Sequence, residues 1–245
     1  MSISRIFQPV ELICGSEISL DRQASHHLAA VLRARPNDAL TLFNGRGGEY
    51  KGVITLIDKK QVRVQINDHI AREVESPLEL CLAQGISRGE KMDYTIQKAV
   101  ELGVKKIIPL FTERCTVKLD EERCAKRLQH WQSIIISACE QSGRNQIPEL
   151  LLPMTLENSL RAVKADWYFV LSPKALSSLK EKPVQEQQRV VLLIGPEGGL
   201  SEEEVNLACQ RGFLPLSLGP RILRTETAAV AAITALQCSF GDMGG

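Results

Sequence analysis

The chain has 245 residues, room for one large domain or two modest ones, and its 44% apolar and 24% charged residues are the balance of a globular protein with a sizeable core. A formal net charge of +1 argues against a surface coated in nucleic acid, and 4% aromatic residues advertise no base-stacking platform. A local basic face stays open: residues 1–72 hold ten Lys/Arg against seven Asp/Glu, and the remainder twenty against twenty-two, so a polyanion is expected to meet the N-terminal part first.

In chain order, "SHHLAAVLRARPND" predicts a short helix stopped by Pro36. "ALTLFNGRGGEYKGVITLIDKKQVRVQIND" predicts three strands near 39–43, 50–57 and 61–66, with turns at 44–48 and 58–60. At "AREVESPLEL" the pattern changes to alternating strands and helices. A boundary is therefore placed near residue 73, with a small β-barrel domain over 1–72 and an α/β domain over 73–245. In the second part "LELCLAQGI" is a strand, "GEKMDYTIQKAVELG" a helix closed by Gly103, and "VKKIIPLF" a strand. A long helix runs from Asp120 to Ser142, with Leu128, Trp131, Ile135 and Ala138 on one face. "DWYFVLSP" and "RVVLLIGP" are strands with a helix or loop between them. "SEEEVNLACQRG" is a helix opened by a capping box of Ser201 and Glu204 and ended by Gly212. "LPLSLGP" is the last strand, and the closing helix starts near Thr225, with Thr225 and Thr227 as N-cap candidates. Alternating βα units with apolar strands imply a parallel sheet covered on both faces.

Seven cysteines lie scattered without a C-x-x-C pair, which predicts buried, reduced thiols in a cytosolic protein and no structural metal site. "MSISRIFQPVELICG" does not have the pattern of a signal peptide, and no run approaches the roughly 20 apolar residues of a membrane helix. Neither a metal nor a membrane is expected as a partner.

Two loops carry the chemical signal. Gly195-Pro196-Glu197-Gly198-Gly199 and Gly219-Pro220-Arg221 each follow a strand and lead into a helix. Open α/β sheets bind ligands at the C-terminal ends of their strands, where glycines let a ligand approach the backbone and a helix offers free N–H groups. Alone, such a loop equally suits a plain strand-to-helix turn; the pair suggests one pocket, with Glu197, Arg221 and Arg224 as its charged groups. The two arginines are equally readable as solvated surface residues. G-x-G-x-x-G, the P-loop pattern and G-x-S-x-G are absent, and no His follows His130, so dinucleotide, P-loop and Ser-His-Asp chemistries have no support.

"LLIGPEGGLSEEE" and "LSLGPRILRTETAAVAAITALQ" resemble the signature of the ribosomal RNA small subunit methyltransferase E family. "SRGEKMDYTIQKAVELGVKKIIPLFTERCTVKL", "HWQSIIISACEQSGRNQIPE" and "HHLAAVLR" agree with family segments in order and spacing, from about residue 5 to 242. Ser172 departs from the pattern, many members having His there. The resemblance implies a SPOUT-type α/β fold whose C-terminal segment threads a deep trefoil knot, preceded by a PUA-like β-barrel domain that helps hold RNA. It implies a homodimer, S-adenosylmethionine as cofactor, and methylation of N3 of one uridine in the 16S rRNA of the small ribosomal subunit. Rival readings are a SPOUT methyltransferase acting on another RNA, a non-catalytic RNA-binding protein, and a nucleotide-using enzyme.

On that resemblance the cofactor is held by Gly195, Pro196, Glu197, Gly198 and Gly199 of the first loop and by Leu218, Gly219, Ile222, Leu223 and Arg224 of the second. Leu171 forms a further wall, and Thr227 and Ala228 bring the closing helix near. Arg224 is the candidate to stabilise the uracil anion that forms when N3 loses its proton. Glu197 is a candidate proton acceptor, or a group holding the cofactor's positive end. Arg5, Arg33, Arg35, Arg46, Arg88, Lys91, Arg114 and Arg144 are candidate RNA contacts.

Overall fold

The computed structural model describes residues 4–58, 61–117, 120–175 and 188–244. The chain divides into two compact units: Met1–Glu75 with Cys139–Ile147, and Ser76–Ala138 with Pro148–Gly245. Residues 139–147 thus belong with the first unit, whereas a single cut near residue 73 leaves them with the second.

The first unit is built on a five-stranded sheet. Its order is β1 (Ser4–Phe7), β3 (Ala39–Phe43), β4 (Glu49–Ile57), β5 (Val62–Ile70) and β2 (Glu17–Ser19). β1 runs parallel to β3 and the other pairs are antiparallel. Period-2 alternation drives burial: Val62, Val64 and Ile66 of β5 turn inward and join Leu40, Leu42, Ile54 and Leu28 in one apolar cluster. The helix expected within 25–38 and stopped by Pro36 starts and ends earlier: α1 (Arg22–His26) is capped by the Asp21 carboxylate, which accepts the Ala24 N–H at 2.8 Å, and a π-helical turn over His27–Val31 continues it.

Buried charge ties residues 139–147 to this unit. Glu49, with only 5% of its side chain exposed, meets Arg5 Nη1 at 2.5 Å, Lys51 Nζ at 2.8 Å and Arg72 Nη1 at 3.4 Å. Arg5 also donates to Asn145 Oδ1 at 2.6 Å and to the Gly143 carbonyl, and its guanidinium lies over the Phe43 ring. Arg144 and Glu75 form a two-point pair, at 3.0 Å and 2.5 Å, with 4% and 9% of their side chains exposed.

The second unit holds a parallel sheet of seven strands. Six lie in the order β12 (Leu214–Leu216), β10 (Trp167–Leu171), β11 (Arg189–Ile194), β6 (Glu79–Gly85), β7 (Lys106–Phe111) and β8 (Glu149–Leu150); β9 (Met154–Thr155) also pairs with β7. The helices are α2 (Glu90–Glu101), α3 (Glu121–Ser142, of which residues up to Ala138 belong to this unit), α4 (Leu156–Ala162), α5 (Glu202–Gln210) and α6 (Thr225–Phe240). Gly103 follows α2 with φ of 84°, the left-handed stop expected for it. The far end of α6 is fixed by Gln237, buried, which accepts the Ser76 hydroxyl at 2.7 Å and donates to the Leu102 carbonyl at 2.8 Å. The helix or loop expected between β10 and β11 falls largely on residues 176–187, outside the described residues.

The expectation of uniformly buried thiols needs correction. Burial pushes Cys81 and Cys139 up to about 12, but Cys14, Cys209 and Cys238 are exposed, because they sit on loops or on outward faces of helices.

Glu49 generates a stability prediction. Burial raises its pKa, but the hydrogen bonds and charges of Lys51 and Arg5 outweigh that and hold the carboxyl below its ordinary value. A depressed carboxylate stabilises the fold at neutral pH, and that contribution fades as pH falls below 4.5. Glu49→Gln should lower unfolding free energy by about 3 kcal/mol at pH 7, measured by denaturant titration. The deficit relative to wild type should shrink in acid.

Candidate active site

The buried run of β11 ends in the loop Gly195–Gly199, and Ser201 then caps α5. The Ser201 hydroxyl accepts the Glu204 N–H at 3.2 Å and Glu204 Oε2 accepts the Ser201 N–H at 2.9 Å, the predicted capping box. The loop's glycines serve different ends. A Cβ on Gly195 would lie 2.6 Å from the Gly199 carbonyl carbon, and one on Gly198 would lie 3.1 Å from Arg114 Cβ. Gly195 is required by the protein's own backbone packing, and Gly198 sits tightly against Arg114. Gly199 and Gly219 have φ of 70° and 105°, and a Cβ there would meet nothing within 4 Å, so of these loop glycines they are the two that leave room for a ligand.

The two loops do not leave neighbouring strands, since β10 separates β11 from β12. The start of α6 reunites them. The Thr225 hydroxyl donates to the Gly195 carbonyl at 2.7 Å. Gln84, fully buried at the end of β6, donates from Nε2 to Gly195 O at 3.2 Å, Thr225 Oγ1 at 3.0 Å and Gly85 O at 3.0 Å. Between the loops, Leu171 ends β10 in register with Leu216, and the Ser172 N–H donates to the Leu216 carbonyl at 3.0 Å.

The expected N-caps are corrected. Arg224 occupies the N-cap position without a side-chain capping bond, and Thr225 is the first helical residue, its hydroxyl already committed to Gly195. Thr227 is exposed in the first turn and Ala228 half-buried; the Ala228 N–H donates to the Arg224 carbonyl at 2.8 Å.

The second loop presents an open edge. Among the described residues, the backbone N–H groups of Leu218, Ile222 and Leu223 have no hydrogen-bond partner. Ile222 is 85% exposed, and Arg221 and Arg224 are exposed without an ion pair among the described residues. Free donors, an apolar side chain and positive-φ glycines suit a ligand with both hydrogen-bond acceptors and an apolar face.

Glu197 is engaged. Its Oε1 accepts the Arg88 N–H at 3.0 Å and lies 3.4 Å from Lys91 Nζ. Burial raises its pKa, but the Arg88 N–H, its own N–H and Lys91 together hold the carboxyl below the usual range. A carboxylate that is already paired and of depressed pKa is a weaker proton acceptor than a free one. Two more cations reach the same region: Arg88 Nε donates to Thr116 Oγ1 at 2.6 Å, and Arg114 Nη1 to the Gly198 carbonyl at 3.1 Å.

Of the candidate RNA contacts, Arg88, Lys91 and Arg114 therefore gather about the first loop. Arg33, Arg35 and Arg46 are exposed in the first unit. Arg5 and Arg144 are corrected: each is largely buried in carboxylate and carbonyl contacts that hold the first unit together. Sequence reasoning missed Gln84 and Thr225 as site residues. The available signal was the amide in "LCLAQGI", because a polar side chain at the end of a buried strand has to find partners.

The Thr225 hydroxyl bridges two otherwise separate segments in a buried position. Thr225→Val keeps the shape but leaves the Gly195 carbonyl with one donor fewer. It should cost about 1–3 kcal/mol in unfolding free energy, read from a chemical melt, and raise hydrogen exchange in residues 195–199 and 218–224.

Residues 74–237 match the model of an RNA methyltransferase domain, and residues 20–67 match an RNA methyltransferase PUA domain. A Buchnera aphidicola protein named ribosomal RNA small subunit methyltransferase E is 42% identical over 98% of each chain. A Legionella pneumophila structure in complex with the bound cofactor SAM superposes with a TM-score of 0.96 at 48% identity, covering 99% of this chain and 100% of that one. A Neisseria gonorrhoeae ribosomal RNA small subunit methyltransferase E bound to S-adenosyl methionine gives a TM-score of 0.92 at 40% identity, covering 98% and 99%. With an α/β parallel-sheet unit and an N-terminal PUA-like sheet of matching kind, the chain belongs to the ribosomal RNA small subunit methyltransferase E family.

Proposed function

We propose that this protein methylates N3 of one uridine in the 16S rRNA of the small ribosomal subunit, using S-adenosylmethionine, in the cytoplasm and as a homodimer. The observation that carries the reading is the Thr225–Gly195 hydrogen bond, backed by Gln84, which turns two loops separated by a strand into one site. On this reading the C-terminal segment threads the trefoil knot of SPOUT enzymes, and the full-length likeness to S-adenosylmethionine-bound relatives supports it.

The residues fit the cofactor's chemistry. The N–H groups of Leu218, Ile222 and Leu223 are free to donate to adenine and ribose atoms, while Ile222 and Leu171 offer apolar contact. Gly195, Pro196, Gly198, Gly199 and Gly219 shape the backbone around it, and Thr227 and Ala228 close the side toward α6. When bound, S-adenosylmethionine supplies a methyl group already activated on a sulfonium. The protein's part is then alignment and charge control. Arg224, carried at the N-cap of α6 with its guanidinium unpaired among the described residues, stabilises the uracil oxygen that gains charge as the N3 proton leaves to solvent. Glu197 would supply negative charge toward the positive end of a bound cofactor rather than act as a base. Arg33, Arg35 and Arg46 of the first unit and Arg88, Lys91 and Arg114 of the second hold RNA phosphates, so affinity should fall as salt rises.

Arg224→Ala should reduce kcat on small-subunit RNA about 10²–10³-fold with cofactor affinity retained by calorimetry, because its backbone contacts remain. Mapping the methyl group on the product RNA tests the substrate atom directly. Near-normal turnover by the variant, or a methyl group away from uridine N3, overturns the assignment.

A further inference from the structure

Three cations converge on the first glycine loop, and the loop answers with a single carboxylate. Arg88 and Arg114 bind neutral acceptors there, Thr116 Oγ1 and the Gly198 carbonyl. Each uses one of a guanidinium's five donors in that bond and keeps the others for a further acceptor. Lys91 and the Arg88 N–H are taken by Glu197. Nearby acids are otherwise occupied: Glu202 is paired with Lys174, Glu204 accepts the Glu113 and Ser201 N–H groups, and Asp93 is bonded to His130.

An N–H and an ammonium closing on one anionic oxygen, with two guanidiniums alongside, is a donor set that fits a phosphodiester. We infer that Glu197 occupies, in the free protein, the place of an RNA backbone phosphate, and that RNA displaces it on binding. This rests on the RNA-methyltransferase reading above. The exchange is physically accessible. The Lys91–Glu197 pair is 39% and 28% exposed at its two side chains, a half-solvated contact that a polyanion with several phosphates can outcompete. Losing it does not unmake the loop, whose ends are held independently by Gln84 and Thr225 on Gly195 and by the Ser201 capping box. Before RNA arrives, the carboxylate keeps the cations ordered; once displaced, it is released from Lys91 and the Arg88 N–H while still carried by the first loop. RNA binding and the state of the cofactor loop are thereby coupled.

The test measures affinity for isolated 16S rRNA across a salt series, with wild type, Glu197→Gln, Lys91→Ala, the double variant, and Glu157→Gln, at an exposed acid of α4 paired with Arg161, as a control for simple loss of one negative charge. Glu197→Gln should bind RNA about tenfold more tightly at low salt, with a salt slope steeper by about one contact. Lys91→Ala should cost more affinity in the Glu197→Gln background than in wild type, and Glu157→Gln should leave the slope unchanged. An unchanged or weakened affinity for Glu197→Gln, or equal effects of Glu197→Gln and Glu157→Gln, overturns the inference. Should Glu197→Gln not fold, Lys91→Ala alone decides: a slope unchanged from wild type excludes Lys91 from the phosphate site. Methyl transfer by wild type to the same RNA is assayed in parallel. Its absence defeats the proposed function, whereas transfer with unaltered Glu197→Gln binding defeats only the displacement.

Discussion

A single buried amide governs the geometry of the site. Gln84 stands at the C-terminal end of β6, and its Nε2 is shared among the carbonyls of Gly85 and Gly195 and the hydroxyl of Thr225. Without that cluster, β11 and β12 would send their loops out from strands that are not neighbours. With it, the helix following the second loop is bonded to the first residue of the first loop. The arrangement leaves Gln84 Oε1 buried with no partner among the described residues, a desolvation cost on the order of 1–3 kcal/mol. Such a cost persists where the rest of the amide is fully committed and the surrounding backbone is closely packed. The contacts of a Cβ placed on Gly85, 2.5 Å from both Pro196 Cδ and its nitrogen, show how closely β6 and the loop approach.

The parts of the fold legible in the sequence are those whose signal is local and repeated. β10 is an unbroken apolar run, β7 and β11 are apolar after their first residue, β6 is apolar from Leu80 to Ala83, and β5 alternates with period two, so burial alone names them. β1, β2, β8, β9 and α4 are two to seven residues long and hold their shape through partners elsewhere in the chain. The return of residues 139–147 to the first unit had no readable signal at all. "CEQSGRNQI" is polar, and its placement depends on Arg5, Arg72 and Glu75, with the Arg5–Asn145 bond spanning 140 positions.

Charge was the least legible property of the site. Arg144 and Arg224 look alike in sequence, each in a polar segment close to a glycine or proline. One is buried against Glu75, and the other stands unpaired among the described residues at the head of α6. The difference lies in which carboxylates the topology delivers. Glycine was ambiguous in the same way. Two of the four discussed in the loops exist because the protein's own backbone and Arg114 crowd them, and two because the chain turns through positive φ into open space. Family resemblance marks all four without separating these causes.

The near-zero net charge now has a structural reading. Much of the basic inventory is consumed internally: Arg5, Lys51 and Arg72 on Glu49, Arg144 on Glu75, and Lys106 on Glu149. Five further cations stand at the two loops, Arg88, Lys91, Arg114, Arg221 and Arg224, and of these only Lys91 has an ion-pair partner among the described residues. Under the proposed function, these loop cations act together with the exposed arginines of the first unit. Binding then depends on the loops being folded together by Gln84 and Thr225, so a neutral pair of hydrogen-bonding side chains sets where the charge can act.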